Sequence, residues 1–304
     1  MNMSKSTAIT EPDKRGKKME LTNLQRAEVI TQALPYIQKY HNKIIVIKYG
    51  GNAMISEDLK MQVMEDIVLL SLIGVKPVLV HGGGPEISEM LKRVGKESVF
   101  VDGLRVTDKE TAEIVQMVLA GKINKHLVNI LGEFGGSAIG ISGIDAHLIE
   151  AEVKDERLGF VGEVTKVNVQ PILDLLEKDY IPVVSTVGCD NEGNAYNINA
   201  DTAASFIAGA LKAERLITMT DIPGILRDVN DPDSIIKRVN TQEARQLFAE
   251  GVISGGMIPK VQCCIDAVEM GVKRVTILDG RVPHAVLLEL LTDEGAGTMV
   301  KGIE

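Results

Sequence analysis

The order of secondary structure is clearest in residues 43–85, which contain the stretches KIIVIKYGG at 43–51 and KPVLVHGGGP at 76–85. The uninterrupted run Ile44–Ile47 is typical of a strand that is buried on both faces. Residues 57–73 then show apolar positions at helical spacing, and residues 77–81 form the next strand. A strand, a helix and a second strand in this order predict two parallel strands with a helix packed across them.

The same alternation continues to the C-terminus. Further helices are predicted at 85–94, 107–131, 171–178, 200–211, 241–250, 258–270 and 284–291, the second of them opened by a capping box at 107–110. Further strands are predicted at 138–141, 181–186, 215–220, 274–278 and 298–300, with a short β excursion within 147–167 and a hairpin turn at 190–194. Such repeated units predict an α/β fold, a three-layer αβα sandwich around a mainly parallel open sheet.

The N-terminal residues 1–42 are predicted to precede this sheet as a disordered tail and an extra helix. Residues 1–20 are polar and are typical of a loose tail rather than a signal peptide. Residues 22–25 have the form of a capping box, and apolar residues then recur at helical spacing to about Tyr40. Pro35 should kink or divide this helix. The helix packs either on its own domain or on another subunit, and the sequence alone leaves both open.

The composition excludes several classes of function. The 304 residues are 45% hydrophobic but only 3% aromatic, contain no Trp and carry a net charge of −9. Negative charge and scarce aromatic residues disfavour binding to nucleic acid. No apolar run approaches the roughly 18 residues of a membrane-spanning helix. The three cysteines form no disulfide framework, so the sequence predicts a cytoplasmic protein without a membrane or nucleic acid partner.

Two glycine-rich turns lie where ligands bind in such sheets, beyond the carboxyl ends of the strands. In the first turn, Lys48 is followed by Gly50 and Gly51, which let the backbone approach a ligand closely. In the second, glycines at 82–84 lead into a helix with Pro85 in its first turn. Free amides and the positive end of the helix dipole form an anion site there. Two tight structural turns are the alternative, and the residues leave these interpretations nearly even.

These turns lack the fingerprints of the commonest nucleotide-binding loops. The sequence contains no G-x-x-x-x-G-K-[ST] motif, and no G-x-G-x-x-G motif opens a helix after the first strand. P-loop and dinucleotide-binding folds are therefore disfavoured.

Three further segments carry groups that suit anionic ligands. In NINAD at 197–201, Asp201 lies in the first turn of a helix that Asn199 could cap. In GGMIPK at 255–260, Lys260 also lies in a first helical turn, where a nearby anion would offset its repulsion by the helix dipole. Arg105, within DGLRVT at 102–107, is a forked donor suited to a carboxylate, although Arg in a loop is usually just solvated. Together the segments supply what phosphoryl transfer requires: cations, glycine amides, and a carboxylate that holds the cations in place.

In order, these segments resemble the motifs of the amino acid kinase family. The matching stretches are KYGGNAM at 48–54, HGGGP at 81–85, DGLRVT at 102–107, NINAD at 197–201 and GGMIPK at 255–260. The resemblance extends from about residue 22 to the C-terminus. The lysine and its Gly-Gly turn are shared across the family, whereas GLRVT and NINAD are more particular to members that phosphorylate N-acetyl-L-glutamate.

The resemblance implies ATP-dependent transfer of the γ-phosphoryl group to the side-chain carboxylate of N-acetyl-L-glutamate, on the route to arginine. It implies a substrate-binding lobe at 43–212 and a nucleotide-binding lobe at 213–304. By motif position, Lys48 and Lys260 are similar to the pair that stabilises the transition state, and Asp201 to the carboxylate that organises them. Substrate-binding positions match Gly83, Gly84, Arg105 and Asn197. Nucleotide-binding positions match Gly50, Gly51, Thr220, Asp221, Gly224, Gly255, Gly256 and Met257.

The chemistry of this reaction is consistent with the residues present. The acceptor carboxylate has an ordinary pKa near 4.3 and is already ionised at neutral pH, so the reaction requires no general base. The obstacle is repulsion between two anions, which cations and amides reduce. Mg²⁺ is expected to be carried mainly on the nucleotide, with no metal site made by protein side chains.

A further resemblance concerns regulation. The leading helix and the segment TDEGAGTMV at 292–300 are similar to those of arginine-inhibited members, which are hexamers with N-terminal helices interlaced between dimers. This implies a homohexamer built as a trimer of dimers and inhibited by arginine, with Glu294 as a partner of the guanidinium group. A solvated loop charge is an equal alternative for Glu294.

Two other functions compete with this interpretation. One is phosphoryl transfer by the same fold to uridylate, carbamate or aspartate, which Arg105 and the NINAD segment disfavour. The other is a non-catalytic sensor of arginine or nucleotide. A sensor has no need of two transfer cations, so the presence of both Lys48 and Lys260 disfavours it.

Overall fold

The computed structural model describes residues 21–50 and 56–303. The helices are α1 (Asn23–Gln32), α2 (Leu34–Tyr40), α3 (Glu57–Leu72), α4 (Gly84–Arg93), α5 (Lys109–Gln116), α6 (Asn124–Glu133), α7 (Gln170–Glu177), α8 (Ala200–Ala210), α9 (Thr241–Ala249), α10 (Met257–Glu269) and α11 (Ala285–Leu291). The strands are β1 (Ile44–Tyr49), β2 (Lys76–His81), β3 (Phe100–Val101), β4 (Leu104–Arg105), β5 (Ala138–Ser142), β6 (Ile149–Val153), β7 (Gly162–Val167), β8 (Ile181–Ser185), β9 (Val187–Cys189), β10 (Ala195–Asn197), β11 (Arg215–Thr220), β12 (Arg238–Asn240), β13 (Arg274–Asp279) and β14 (Thr298–Lys301).

Eight strands form the central sheet, in the order β12-β14-β13-β11-β1-β2-β8-β5. Neighbouring strands pair in parallel, apart from the antiparallel pair β13 and β14. Tyr49 of β1 lies opposite His81 of β2, and Lys48 lies opposite Thr218 of β11. The carboxyl ends of these three strands therefore meet at one edge, and the predicted mainly parallel sheet is confirmed.

Helices cover both faces of this sheet because consecutive residues of the central strands, which point to opposite faces, are apolar. Ile47 packs in one core cluster with Met64 of α3, whereas its neighbour Val46 packs in a second cluster with Ile207 of α8. All four side chains are fully buried. The predicted three-layer αβα sandwich is thereby confirmed.

Two smaller sheets accompany the central one. One has the order β10-β9-β6-β7, and the other is the hairpin β3–β4. The first contains the predicted β excursion and the hairpin turn at 190–194, which joins β9 to β10. The hairpin β3–β4 and the strand β12 were not predicted, because strands of two or three residues show too little alternation to be recognised in sequence.

The helix predicted at 107–131 is wrong in two respects. Its N-cap is Asp108, whose side chain accepts a hydrogen bond from the amide of Thr111, so the predicted capping box is absent. Thr107 is instead held in a bridge with Gly159, since its amide donates to Leu158 and its carbonyl accepts from Phe160. The helix is also interrupted by a π-helical segment at Met117–Ile123, which separates α5 from α6.

The N-terminal helix begins with the predicted capping box at Thr22 and is divided near Pro35, as predicted. Thr22 and Gln25 form a reciprocal capping box, and α1 ends at Gln32 just before Pro35 in the first turn of α2. No residue of α1 is buried in this chain, and Leu24 and Ile30 are about 70% exposed. The tail at 1–20 lies outside the described residues, and the division into two lobes at 212/213 stays a prediction.

Candidate active site

Three charged side chains meet at the carboxyl edge of the central sheet. Lys48 Nζ lies 2.8 Å from Asp201 Oδ1, and Lys260 Nζ lies 3.2 Å from Asp201 Oδ2. Lys48 is almost fully buried, whereas the side chain of Lys260 is 30% exposed. One carboxylate thus holds two ammonium groups, and the cluster keeps a net charge of +1 toward an incoming anion.

Asp201 is positioned by the start of α8. Asn199 caps this helix, and its Oδ1 accepts hydrogen bonds from the amides of Asp201 at 2.9 Å and Thr202 at 3.1 Å. Burial alone would raise the pKa of Asp201, but Lys48 and Lys260 outweigh it and lower the pKa to about 2. The carboxylate is therefore ionised at neutral pH and can hold both lysines.

Lys260 approaches Asp201 from the first turn of α10. A lysine near a helix N-terminus is repelled by the positive end of the helix dipole. The Asp201 carboxylate supplies the anion that offsets this repulsion. Gly50 lies close to the other lysine, since a Cβ atom built at position 50 would be 3.0 Å from Lys48 Nζ. A side chain at position 50 would therefore crowd the ammonium group.

Arg105 extends from β4 toward the glycine-rich turn after β2. Its Nη1 donates to Ser98 Oγ at 2.6 Å, and its Nη2 donates to Gly84 O at 3.0 Å and Ser88 Oγ at 2.9 Å. The guanidinium group also lies over the ring of Phe100, 4.7 Å from the centroid. These contacts fix the plane of the guanidinium group, which favours a defined orientation toward a carboxylate.

A cavity of about 470 Å³ joins these groups. Its polar lining includes the predicted residues Lys48, Gly50, Gly83, Gly84, Arg105, Asn197, Asp201 and Lys260. Its apolar lining includes Ile87, Phe100, Leu104, Leu119, Val161 and Ile198. Leu104 and Ile198 lie within the DGLRVT and NINAD motifs but were not singled out in the sequence. The other apolar residues and the serines that hold Arg105 were missed, because they come from separate segments that only the fold brings together.

A second cavity of about 390 Å³ is lined by residues from the C-terminal part of the chain, between Asp221 and Lys260. Four predicted nucleotide-binding residues line it: Asp221, Gly224, Gly256 and Met257. Thr220 and Gly255 do not line it, although the Thr220 hydroxyl donates to Asp221 Oδ1 at 3.2 Å. Gly51 lies outside the described residues. Lys260 lines both cavities and therefore stands at their junction.

A third cavity, of about 400 Å³, lies near the amino ends of the strands and includes Glu294. Tyr36 of α2 reaches it and donates a short hydrogen bond to Asp293. Lys39, Arg238 and other cations also line this cavity. Glu294 is thus separate from the residues around Asp201 and close to the N-terminal helices.

Among residues 21–50 and 56–303, no group of three or more His, Cys, Asp or Glu side chains is placed to hold a metal ion. No helix in these ranges is both long and apolar enough to cross a membrane.

The family model of the amino acid kinases matches residues 43–279, which include the charged cluster and both adjoining cavities. The chain belongs to the amino acid kinase family. The motif-based resemblance is thereby confirmed.

Relatives within the family match nearly the whole chain. The acetylglutamate kinase of Clostridium beijerinckii is 53% identical over 283 residues, which cover 92% of this chain and 99% of its own. The acetylglutamate kinase of Caldanaerobacter subterraneus subsp. tengcongensis is 54% identical over 277 residues, which cover 90% of this chain and 93% of its own.

The fold is also similar to that of N-acetylglutamate synthase from Neisseria gonorrhoeae, solved with coenzyme A and N-acetyl-glutamate. The TM-score is 0.80 at 24% identity, over 91% of this chain and 64% of the synthase. At this identity the likeness concerns the fold alone.

Proposed function

We propose that this protein transfers the γ-phosphoryl group of ATP to the side-chain carboxylate of N-acetyl-L-glutamate, a step of arginine biosynthesis. The observation that carries the proposal is the position of Lys260, which lines both cavities and shares the Asp201 carboxylate with Lys48. The acceptor occupies the 470 Å³ cavity and the nucleotide the 390 Å³ cavity. The two acetylglutamate kinases, which align with this chain over more than nine-tenths of their own length, support this substrate.

The residues around the acceptor match its functional groups. The Arg105 guanidinium binds a carboxylate of N-acetyl-L-glutamate, and Asn197 binds polar atoms beside it. The apolar lining, including Leu119 and Ile198, accommodates the acetyl methyl group. The amides of Gly83 and Gly84, at the start of α4, bind oxygens of the phosphoryl group.

The reaction is a direct in-line displacement. A side-chain carboxylate oxygen of the acceptor attacks the γ-phosphorus, a new O–P bond forms, and the bond to the bridging oxygen breaks to release ADP. Since the acceptor is already ionised, no protein group needs to remove a proton. Lys48 and Lys260 stabilise the charge that spreads over the phosphoryl oxygens, while Asp201 holds them in position. When Mg²⁺ is carried on the nucleotide, it would neutralise further charge.

A panel of acceptors tests this function. Purified enzyme is assayed for ADP release with N-acetyl-L-glutamate, L-glutamate, aspartate, carbamate and uridylate, and the acyl phosphate is trapped as a hydroxamate. We expect turnover and hydroxamate with N-acetyl-L-glutamate. Turnover with another of these acceptors alone would assign a different substrate, and tight nucleotide binding without turnover would make the protein a sensor.

We further propose a cytoplasmic homohexamer, a trimer of dimers, that arginine inhibits through the cavity at Glu294. The exposed apolar residues of α1 support a helix that packs on another subunit, because no residue in the described part of its own chain covers them. The carboxylates of Asp293 and Glu294 support recognition of a guanidinium group. The free cysteines of the described chain support a reducing compartment.

Regulation and assembly are tested separately. Arginine is expected to lower the rate of wild-type enzyme, and Glu294→Gln to weaken that effect, whereas the exposed Glu250→Gln serves as a matched control. An unchanged rate in the presence of arginine would refute inhibition. Ile30→Glu is expected to reduce the hexamer to smaller species in analytical ultracentrifugation, and an unchanged mass would refute the role of α1.

A further inference from the structure

His81 is a buried histidine that directly precedes the glycine-rich turn at 82–84. In the proposed mechanism this turn contributes its backbone amides, and the side chain of His81 has no role yet. It is the last residue of β2, and its side chain is fully buried. Its Nδ1 lies 2.9 Å from the carbonyl oxygen of Gly82, and its Nε2 lies 3.2 Å from Asn124 Nδ2. Both ring nitrogens thus have partners within the protein.

The hydrogen-bond partners of His81 determine which of its ring nitrogens carries the proton. Asn124 Nδ2 lies 2.9 Å from Val183 O and 3.3 Å from Ile141 O, and both carbonyls can only accept. The amide nitrogen is therefore a donor, with two hydrogens for three neighbouring acceptors. Because Gly82 O can only accept, His81 Nδ1 must donate to it, and Nε2 of the neutral ring is left as an acceptor. The proton of the neutral ring then sits on Nδ1 and is donated to Gly82 O. Burial lowers the pKa of His81 to about 4, which keeps the ring neutral at physiological pH.

The π-helical segment Met117–Ile123 places Asn124 next to His81. Asn124 follows it directly as the first residue of α6. Gly140 of β5 leaves room for the amide, because a Cβ atom there would be only 1.9 Å from Asn124 Oδ1. The same segment also closes over the glycine turn, since a Cβ atom at Gly83 would lie 2.1 Å from Ile123 Cδ1. The end of this segment and the start of α6 thus both contact the turn or the histidine that precedes it.

Fixing the carbonyl of Gly82 also fixes the amide of Gly83. The peptide unit is planar and trans, so its N–H points opposite to its C=O. Since the Gly82 carbonyl contacts the buried imidazole, the Gly83 N–H points away from it. Gly83 and its neighbours Gly82 and Gly84 line the acceptor cavity. A donor held in this way needs no reorganisation when charge develops on the phosphoryl oxygens.

We propose that His81 is a positioning residue, which together with Asn124 locks the Gly82–Gly83 peptide so that its amide faces the transferred phosphoryl group. This inference rests on the proposed phosphoryl transfer. It adds a residue that does not touch the substrate but acts through the backbone.

Two variants of His81 separate this role from simple packing. His81→Leu retains a buried side chain of similar size but leaves the Gly82 carbonyl without its donor. His81→Asn places an amide donor at the same number of bonds from Cα as Nδ1. We expect kcat to fall at least about tenfold in the Leu variant, with the KM for ATP little changed, because the contact strengthens in the transition state. The Asn variant should recover most of that loss.

Val78→Ala, in the core of the same strand, is the matched control. It is expected to lower thermal stability without lowering kcat. A Leu variant with the kcat of wild type would overturn the proposal, as would an Asn variant as slow as the Leu variant.

The tautomer of His81 is tested in the wild-type protein by long-range ¹H–¹⁵N correlation NMR with ¹⁵N-labelled histidine, assigned from the signal that disappears in His81→Asn. We expect a protonated Nδ1 and an unprotonated Nε2 at pH 7. A protonated Nε2 would overturn the proposal. Because this readout needs no turnover, it remains decisive if the acceptor panel assigns another activity.

Discussion

Two clusters of buried or partly buried opposite charges lie at the two ends of the central sheet, and they differ in charge balance. At the carboxyl end, two lysines share the single carboxylate of Asp201. At the amino end, Arg215 of β11 forms a short ion pair with Glu289, and both side chains are at most 3% exposed. The first cluster has an excess positive charge and the second is neutral.

The partners of the amino-end pair account for this difference. Arg215 donates to Tyr40 Oη at 3.0 Å and Thr276 Oγ1 at 2.9 Å, while Glu289 accepts from Thr276 Oγ1 at 3.0 Å and from the amide of Ala296 at 2.9 Å. This network ties α2 and α11 to the sheet. Arg215 and Glu289 also line the 400 Å³ cavity at Glu294, but their charges compensate each other. The lysine cluster borders two cavities with an excess positive charge that is left for a ligand. The neutral Arg215–Glu289 pair thus stabilises the fold, whereas the positively charged lysine cluster can bind an anionic ligand.

The largest effect is expected from breaking the neutral pair. Glu289→Ala leaves Arg215 buried without its counterion and should lower the free energy of unfolding by about 3–5 kcal/mol, measured by urea denaturation. The double variant Arg215→Met/Glu289→Leu should recover most of this loss, because it removes both buried charges. A single variant as stable as wild type would show that the pair does not hold the fold.

Removing a charge from the unbalanced cluster should affect rate rather than stability. Lys260→Ala is expected to lower kcat by about 10²–10³-fold while the fold and substrate binding are retained, because a cation that stabilises the transition state is lost. ADP-release kinetics measure the rate, and circular dichroism and substrate titration check folding and binding. Full activity of this variant would remove Lys260 from the mechanism.

A third buried carboxylate, Asp66 of α3, differs from Asp201 because it has no lysine partner among the described residues. It contacts His284 Nδ1 at 2.6 Å through Oδ1, and its buried Oδ2 has no hydrogen-bond partner among the described residues. Burial raises its pKa to about 6, the opposite of the shift at Asp201. A pKa that is raised on folding means that stability is lost as pH rises from about 4 through 6.

Asp66→Asn should therefore stabilise the protein by about 1–2 kcal/mol at pH 8, with the gain vanishing below about pH 4. Urea denaturation of both proteins across this pH range measures the difference. An equal gain at every pH would mean that ionisation of Asp66 is not its cause.

The smallest effect is expected from the cap that positions Asp201. Asn199→Ala should lower the free energy of unfolding by about 1 kcal/mol, since two amides at the start of α8 lose their acceptor. Asn199→Asp preserves the acceptor and is the matched control in thermal melts. Equal stability of the Ala variant and wild type would indicate that the cap does not stabilise α8.

The sequence by itself determined the order of helices and strands, because buried parallel strands and amphipathic helices have distinct periodicities. It also marked the two glycine turns, Arg105, Asp201 and the two lysines, since residue type carries their chemistry. The interruption at Met117–Ile123 was invisible in it, because a π-helical segment of seven residues shifts the apolar spacing too little to be recognised.

Only the tertiary structure decided which of these residues meet. Lys48, Asp201 and Lys260 are separated by more than fifty positions, and parallel strand pairing together with the starts of α8 and α10 brings them within hydrogen-bond distance. The apolar wall of the acceptor cavity and the contact of His81 with Asn124 likewise join distant segments. Local sequence sets local conformation, whereas contacts between distant segments depend on how the layers pack, and residue type alone does not specify that packing.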